Sequence, residues 1–359
     1  MSPVKRSPRR IYAIYSDRKA LTAFGGDMIS ELETLRWMSQ GAEVYYNNTR
    51  FDPVRAIAGE EAAEVAGPVG DYDLAYIRAN VDVLAQCKKA GIPTLYFGEL
   101  NPEVFALADY IAVHTQGEAR HFTRMAAQAG FSIKTFLMEQ PGREDFSPRQ
   151  GEVETETLRR RWGGGFNLGF FGRIDAAAFP DTFMSIRDLV RFYIRDVSIV
   201  FAGKLRWKYQ LPGDVYYERE YLTGNEMPYA LSACAASIGI EQPEAEWAGS
   251  NRTLDAIRCG VPIITRPYAA RVEQLGEDYP LYFTDPVELL RKLIWLRYDT
   301  AFQGDVAAHM AALPARFSHE AIQGRNAERL DGLFESLATR TKKPRQPRET
   351  TQRRRKTKT

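Results

Sequence analysis

The sequence predicts an α/β protein built from two doubly wound parallel-sheet units with a cleft between them. Two observations carry this expectation. Short runs rich in β-branched and aromatic residues alternate with stretches of helical periodicity, the pattern of strands joined by crossover helices. The alternation stops at a break rich in Pro, Gly and charge, residues 140–152, and restarts beyond Gly163-Gly164-Gly165. A chain of 359 residues can supply two such cores, and no internal repeat of solenoid period is present.

Residues 10–15, RIYAIY, form the first strand, and a turn containing Gly25-Gly26-Asp27 follows. Met28, Leu32, Leu35 and Met38 then mark one face of a helix that stops near Gly41. Residues 42–46, 73–77, 93–97 and 110–113 read as further strands, and 153–162 as a charged helix after the break. In the second unit, strands are expected over 167–171, 197–201, 236–240 and 262–265, with a weaker one over 214–217. Helices are expected over 181–192, 228–233, 251–258 and 286–297. A last helix near 319–337 can pack back across the first unit. The expected organisation is a basic arm (1–10), a first Rossmann-like unit (11–150), a second (160–312), a returning helix (313–338) and a basic tail (340–359).

The net charge of +2 hides a segregation. Residues 1–10 carry +4 and residues 340–359 carry +9, which leaves the body at −11. The tail has no aliphatic or aromatic residue from 341 onward, so it is expected to be disordered. Its candidate partners are nucleic acid or an anionic membrane surface, and the alternative is a solubilising tail with no partner. No window approaches 18 consecutive apolar residues, which excludes a membrane-spanning helix. The basic first residues are not followed by the apolar stretch and cleavage site of a signal peptide. Three widely spaced cysteines, Cys87, Cys234 and Cys259, give neither a disulfide framework nor zinc spacing. A reducing cytoplasm is the expected compartment.

In open α/β sheets ligands bind beyond the carboxyl ends of the strands, so those loops carry the functional reading. Residues 169–174, GFFGRI, end a buried strand and present Arg173 at its tip, where a guanidinium can bond phosphate bidentately. Residues 201–204, FAGK, end the next strand at Lys204, with Arg206, Trp207, Lys208 and Tyr209 close behind. Residues 222–228, LTGNEMP, lead into a short helix, which Asn225 could cap. Residues 240–264 hold Glu244 and Glu246, the turn Gly249-Ser250-Asn251, Arg252, Asp255 and the strand entry Gly260-Val261-Pro262. A helix that opens at that turn offers free N–H groups and the positive end of its dipole to a diphosphate. A simpler reading makes Asn251 an N-cap among solvated acids.

Together these loops resemble the nucleotide-sugar half of a GT-B glycosyltransferase, most like the GT4-type retaining group, over roughly residues 10–338. The resemblance implies that Arg173 clamps the donor diphosphate and that Glu246 and Asp255 are the family's two acids, reading sugar and ribose hydroxyls. Three departures stand out. The loop after Arg173 lacks the family's usual Lys, a gap that Lys204 or Arg252 could fill. The acidic spacing is one residue longer, which leaves Glu244 as a rival to Glu246, and Asp replaces the second Glu. In the first unit the resemblance places Gly25, Gly26 and Asp27 toward the donor and acceptor. Glu99, after the strand over 93–97, becomes a candidate base, with His114 as the other titratable candidate on that edge. Residues 317–321, FSHEA, look like the family's terminal helix, with His319 structural. Asp71-Tyr72-Asp73 precedes a strand rather than following one and reads as a strand entry, so no essential metal is expected.

The expected function is transfer of a sugar from a nucleotide-diphosphate sugar, UDP-glucose or a similar UDP-sugar, to an acceptor hydroxyl, with no cofactor. The basic ends make a hydroxylated DNA base a candidate acceptor, as in phage DNA-modifying transferases, and such a base needs extrusion from the duplex. A cell-surface glycan or lipid-linked acceptor is the alternative. Two further classes stay open: a non-catalytic GT-B-like nucleic-acid-binding protein, and a sugar-nucleotide epimerase of the same fold.

Overall fold

The computed structural model describes residues 8–16, 26–52, 67–140, 145–172, 174, 179–203, 205, 211–218, 226–239 and 249–341, with backbone alone at 26–30 and 340–341. The first sheet is built by β1 (Arg10–Tyr15), α1 (Gly26–Gly41), β2 (Glu43–Tyr46), β3 (Thr49–Arg50), β4 (Leu74–Arg78), α2 (Val81–Ala90), β5 (Thr94–Phe97), α3 (Pro102–Leu107), β6 (Tyr110–Val113), α4 (Gln116–Gln128) and β7 (Thr135–Leu137). Its order is β3-β2-β1-β4-β5-β6-β7, parallel throughout except for β3, which pairs antiparallel with β2. The central strands are buried except at an end residue, Arg10, Arg78 or Phe97, as parallel strands covered by helices on both faces must be. Local chemistry fixes the crossovers. Asn80, Asn101 and Thr115 each cap the helix that follows by accepting a backbone N–H, at 2.9, 2.9 and 3.0 Å. Asp73 accepts the Arg10 N–H at 2.8 Å on the amino edge of the sheet, which is a strand-entry role.

The second sheet follows α5 (Val153–Arg161). It comprises β8 (Phe166–Phe171), α6 (Asp181–Ser185), α7 (Arg187–Tyr193), β9 (Val197–Ala202), β10 (Tyr216–Glu218), α8 (Met227–Ser232), β11 (Ala236–Ile238), α9 (Asn251–Arg258) and β12 (Ile263–Ile264). Its order is β10-β9-β8-β11-β12, all parallel. Beyond it lie α10 (Ala269–Leu275), α11 (Pro286–Tyr298), α12 (Thr300–Arg316) and α13 (His319–Thr341).

Two expectations need correction. The helix expected over 181–192 is two short helices, because Ile186 leaves helical geometry at φ −106°, ψ 5°. The strand expected over 236–240 is assigned as Ala236–Ile238, with the Gly239 N–H still donating to the Ile264 carbonyl at 2.8 Å, and Ile240 lies outside the described residues. Periodicity gave no sign of β3, β7, α10 or α12. The first two are too short to show a period, and α12 carries Gly304 and Pro314, residues that read as breaks.

One apolar core lies under the first sheet and two under the second, the smaller of them around Trp162, Phe171 and Val200, and α13 contributes to the first core and to the larger core of the second sheet. Ile322 packs into the latter, while Leu330, Leu333 and Phe334 pack into the first. Polar contacts pin the crossing. Asn326 is fully buried, accepts the Glu139 N–H at 2.9 Å and donates to the Glu139 carbonyl at 2.6 Å. Arg325 grips the Glu139 carboxylate bidentately at 2.9 and 2.5 Å, and Arg329 adds a contact at 2.8 Å. All three cysteines are free and buried, and burial pushes the Cys87 thiol up to about 12. No helix among the described residues is long and apolar enough to cross a membrane.

Candidate active site

The carboxyl edge of the second sheet is built by backbone before any side chain is considered. β8 and β9 end in glycines of positive φ, Gly172 at +107° and Gly203 at +144°. The two turns pack directly on each other. A Cβ on Gly203 would lie 1.9 Å from the Gly172 carbonyl oxygen, so no side chain fits there. Beyond them the strands pair once more, Ile174 with Leu205. Arg173 and Lys204, the cations expected between those positions, lie outside the described residues.

Arg252 comes to the same edge from α9. Its Nε and Nη2 lie 2.8 Å from where a Gly172 Cβ would stand, and its guanidinium sits 4.5 Å from the Phe170 ring centroid. The helix opens at the expected turn, but Ser250 rather than Asn251 is the N-cap. Ser250 has extended backbone, and its Oγ accepts the Thr253 N–H at 3.4 Å. Asn251 therefore sits inside the first turn. Asp255 lies half-buried one turn further on.

The first unit meets this turn through the start of α4. The Gly249 N–H donates to Glu118 Oε1 at 3.0 Å, and Glu118 Oε2 accepts the His114 N–H at 2.5 Å. The exchange is reciprocal. Glu273 on α10 accepts the Gln116 and Gly117 N–H groups at 2.9 and 3.2 Å. Each unit thus lends a carboxylate to the other: Glu273 meets the free first-turn amides of α4, where the dipole favours negative charge, and Glu118 meets the turn just before α9. His114 lies close by, with its Cβ 3.6 Å from a Gly249 Cβ position. Its Nδ1 is 2.8 Å from the Met138 carbonyl, which can only accept, so Nδ1 carries a proton. Phe97 flanks the ring at 4.5 Å. Beside these contacts lies an interdomain cavity of about 640 Å³ whose lining includes His114, Gln116, Arg120, Gly249, Glu273 and Arg316.

The remaining sequence candidates are distributed as follows. Glu99 is exposed just beyond β5. Gly26 begins α1 and Asp27 follows it, with neither side chain described. Gly25, Glu244, Glu246, residues 206–209 and residues 222–225 lie outside the described residues. His319 touches Gln323 and approaches Glu33 at 4.0 Å, which is a packing role. The sequence reading missed Glu118 and Glu273. Thr115-x-x-Glu118 is a capping-box spacing and could have flagged a helix start. Nothing local says that its carboxylate reaches the other unit.

The full architecture matches known structures. The chain is similar to HepE of Anabaena in complex with UDP-glucose, at 17% identity and a TM-score of 0.66, covering 90% of this chain and 99% of that one. It is similar to the trehalose-6-phosphate synthase OtsA at 12% identity and a TM-score of 0.61, covering 92% and 99%. It is also similar to the N-terminal domain of Candida albicans trehalose-6-phosphate phosphatase, at 10% identity and a TM-score of 0.62, covering 94% and 98%. The fold is GT-B. No protein-family model matches the chain, and no curated protein matches it. Of the second unit's groups described above, Gly249, just before α9, is the one that meets Glu118 and His114 of the first.

Proposed function

We propose that this GT-B protein is a glycosyltransferase whose donor is a UDP-sugar. One observation carries the reading: the Gly249 amide, at the cleft-side start of α9, already holds a carboxylate supplied from the opposite domain. A turn that draws a carboxylate out of water is suited to a diphosphate oxygen. The glycine edges allow close backbone approach, and Arg252 stands beside them. Structures of the same fold in complex with UDP or UDP-glucose add support.

In this reading Arg252, with Arg173 and Lys204, meets the diphosphate charge, and Asp255 accepts from ribose hydroxyls. Glu246 accepts from the donor sugar. The bond from the sugar C1 to the diphosphate breaks while the acceptor oxygen bonds to C1, and the acceptor proton passes to the departing phosphate. Retention of configuration and independence from metal belong to the same proposal, with the diphosphate charge met by cationic side chains and the helix start. His114 and Glu99 are the first-domain groups proposed to orient the acceptor hydroxyl. For the acceptor, the +9 tail and +4 arm favour a polyanion, and a hydroxylated base in DNA is the proposal.

Incubation with UDP-sugars should release UDP, and Arg252→Ala should lower the rate by about tenfold or more. Absence of both UDP release and thermal stabilisation by any nucleoside-diphosphate sugar would overturn the enzymatic reading. A DNA mobility shift that weakens with salt and disappears on deleting residues 340–359 supports the acceptor class. Flotation with anionic vesicles in its place supports a lipid-linked acceptor.

A further inference from the structure

The two cationic segments of the sequence lie at its opposite ends, and the fold brings their attachment points together. Arg9 and Asp331 are 322 positions apart, yet their side chains form an ion pair. The Arg9 guanidinium also lies 4.7 Å from the Phe334 ring centroid, and Phe334 packs into the first core. Arg10, the first residue of β1, is fixed as well. Its N–H donates to Asp73 at 2.8 Å. Its guanidinium donates to the Asp71 carbonyl at 3.1 Å and lies 4.7 and 5.1 Å from the Tyr45 and Tyr72 ring centroids. Two of the arm's four cations thus anchor it to the first sheet and to α13, and the other two are Lys5 and Arg6.

The tail begins close by. α13 continues seven residues beyond Phe334 to Thr341, about 10 Å of helix. Residues 1–7 and 342–359, outside the described residues, supply eleven Lys or Arg and a single acid, Glu349. We infer that arm and tail together form one two-part binding site for a DNA duplex, set beside the start of β1.

Charge selects the occupant. Residues 11–339 carry −11, so a polyanion is drawn to the two segments and not to the surface beneath them. DNA presents one charge for about every 1.7 Å of axis, so a duplex of about a dozen base pairs spans the gap of about 10 Å and offers phosphates to both segments. Two segments on one duplex bind more tightly than either alone, because the second contact forms at high effective concentration. A bilayer is held stably by basic residues joined to an apolar or lipid anchor, whereas residues 341–359 hold no aliphatic or aromatic side chain. Position separates this anchor from the chemistry. β1 rises about 17 Å from Arg10 to Tyr15. Glu99 and His114, the groups proposed to orient the acceptor, follow β5 and β6 at the carboxyl ends of the parallel strands. Phosphate contacts at the amino end carry no base information, so the duplex is gripped without regard to its sequence. The inference rests on the polyanion reading of the acceptor.

Calorimetric titration of the full chain with an unmodified duplex of about a dozen base pairs, without sugar nucleotide, should give one duplex per chain. Deleting residues 1–7 should weaken binding and make the slope of log binding constant against log salt shallower by about 2. Deleting residues 342–359 should remove most of that slope. Both deletions should leave the circular dichroism spectrum and the thermal shift with UDP-sugars unchanged, so the anchor and the enzymatic proposal are tested separately. Two duplexes per chain, or an arm deletion that alters neither affinity nor slope, overturns the two-part site and leaves the polyanion reading standing. No duplex binding, with or without flotation on anionic vesicles, overturns both.

Discussion

Gly203 and Glu118 show how single residues set the cleft. Gly203 has no room for a Cβ and a φ of +144°, so both space and conformation demand glycine. Gly203→Ala should lower unfolding free energy by about 2–4 kcal/mol, measured by denaturant titration, because backbone rather than a flexible side chain must move. Glu118 is buried and bonded to backbone N–H groups on both sides of the cleft. A donor diphosphate that binds the Gly249 amide must displace this carboxylate or share the turn with it. Glu118→Gln retains an oxygen acceptor and removes the like charge. It should tighten UDP binding by about three- to tenfold in calorimetry. Unchanged or weaker binding would show that the diphosphate does not come near this carboxylate.

Among the elements, α13 has the clearest energetic role, since it contributes side chains to a core of each unit and is locked to the end of β7 by Asn326 and Glu139. Asn326→Ala deletes two hydrogen bonds and strands the half-buried Glu139 N–H and carbonyl. It should cost about 2–3 kcal/mol, visible as a lower melting temperature. The Glu139 carboxylate adds a pH dependence. Burial alone would raise its pKa, but the hydrogen bonds from Arg325 and Arg329 outweigh burial and hold it below the usual carboxylate range. A carboxylate depressed in the folded state contributes stability that is complete above its unfolded pKa and lost as pH falls through the folded one. The melting temperature should therefore fall in acid below the ordinary carboxylate range. Glu139→Gln should show less of that fall while starting from a lower value at neutral pH.

At the scale of the molecule, the units are held by reciprocal carboxylate contacts to helix starts and by one shared helix. Units joined by polar contacts and a single crossing helix are expected to move relative to one another. Donor binding should reveal itself as ligand-dependent stability. UDP at about one hundred times its dissociation constant should add about 2.7 kcal/mol to the folded state, provided that it binds only that state. A melting temperature that ignores UDP at any concentration would argue against the donor turn.

The sequence determined the class of the fold and the place of the turn that opens α9. Mostly apolar runs such as FNLGFF and VSIVFA, bounded by glycine, read as central strands of a covered sheet, and the glycines after them mark where backbone approaches backbone. The start of α9 was legible to within one residue, since both Ser250 and Asn251 are capping types and only the backbone dihedrals chose Ser250. Short elements such as β3 and β7 were not legible, because two or three residues hold no period and exist through pairing with a distant strand. The contacts of Glu118 and Glu273 and the pairing of Arg9 with Asp331 were likewise decided by tertiary structure alone. Periodicity records which face of a helix is apolar, but the position of a second domain, and what a carboxylate finds 131 residues along the chain, depend on how the units come together.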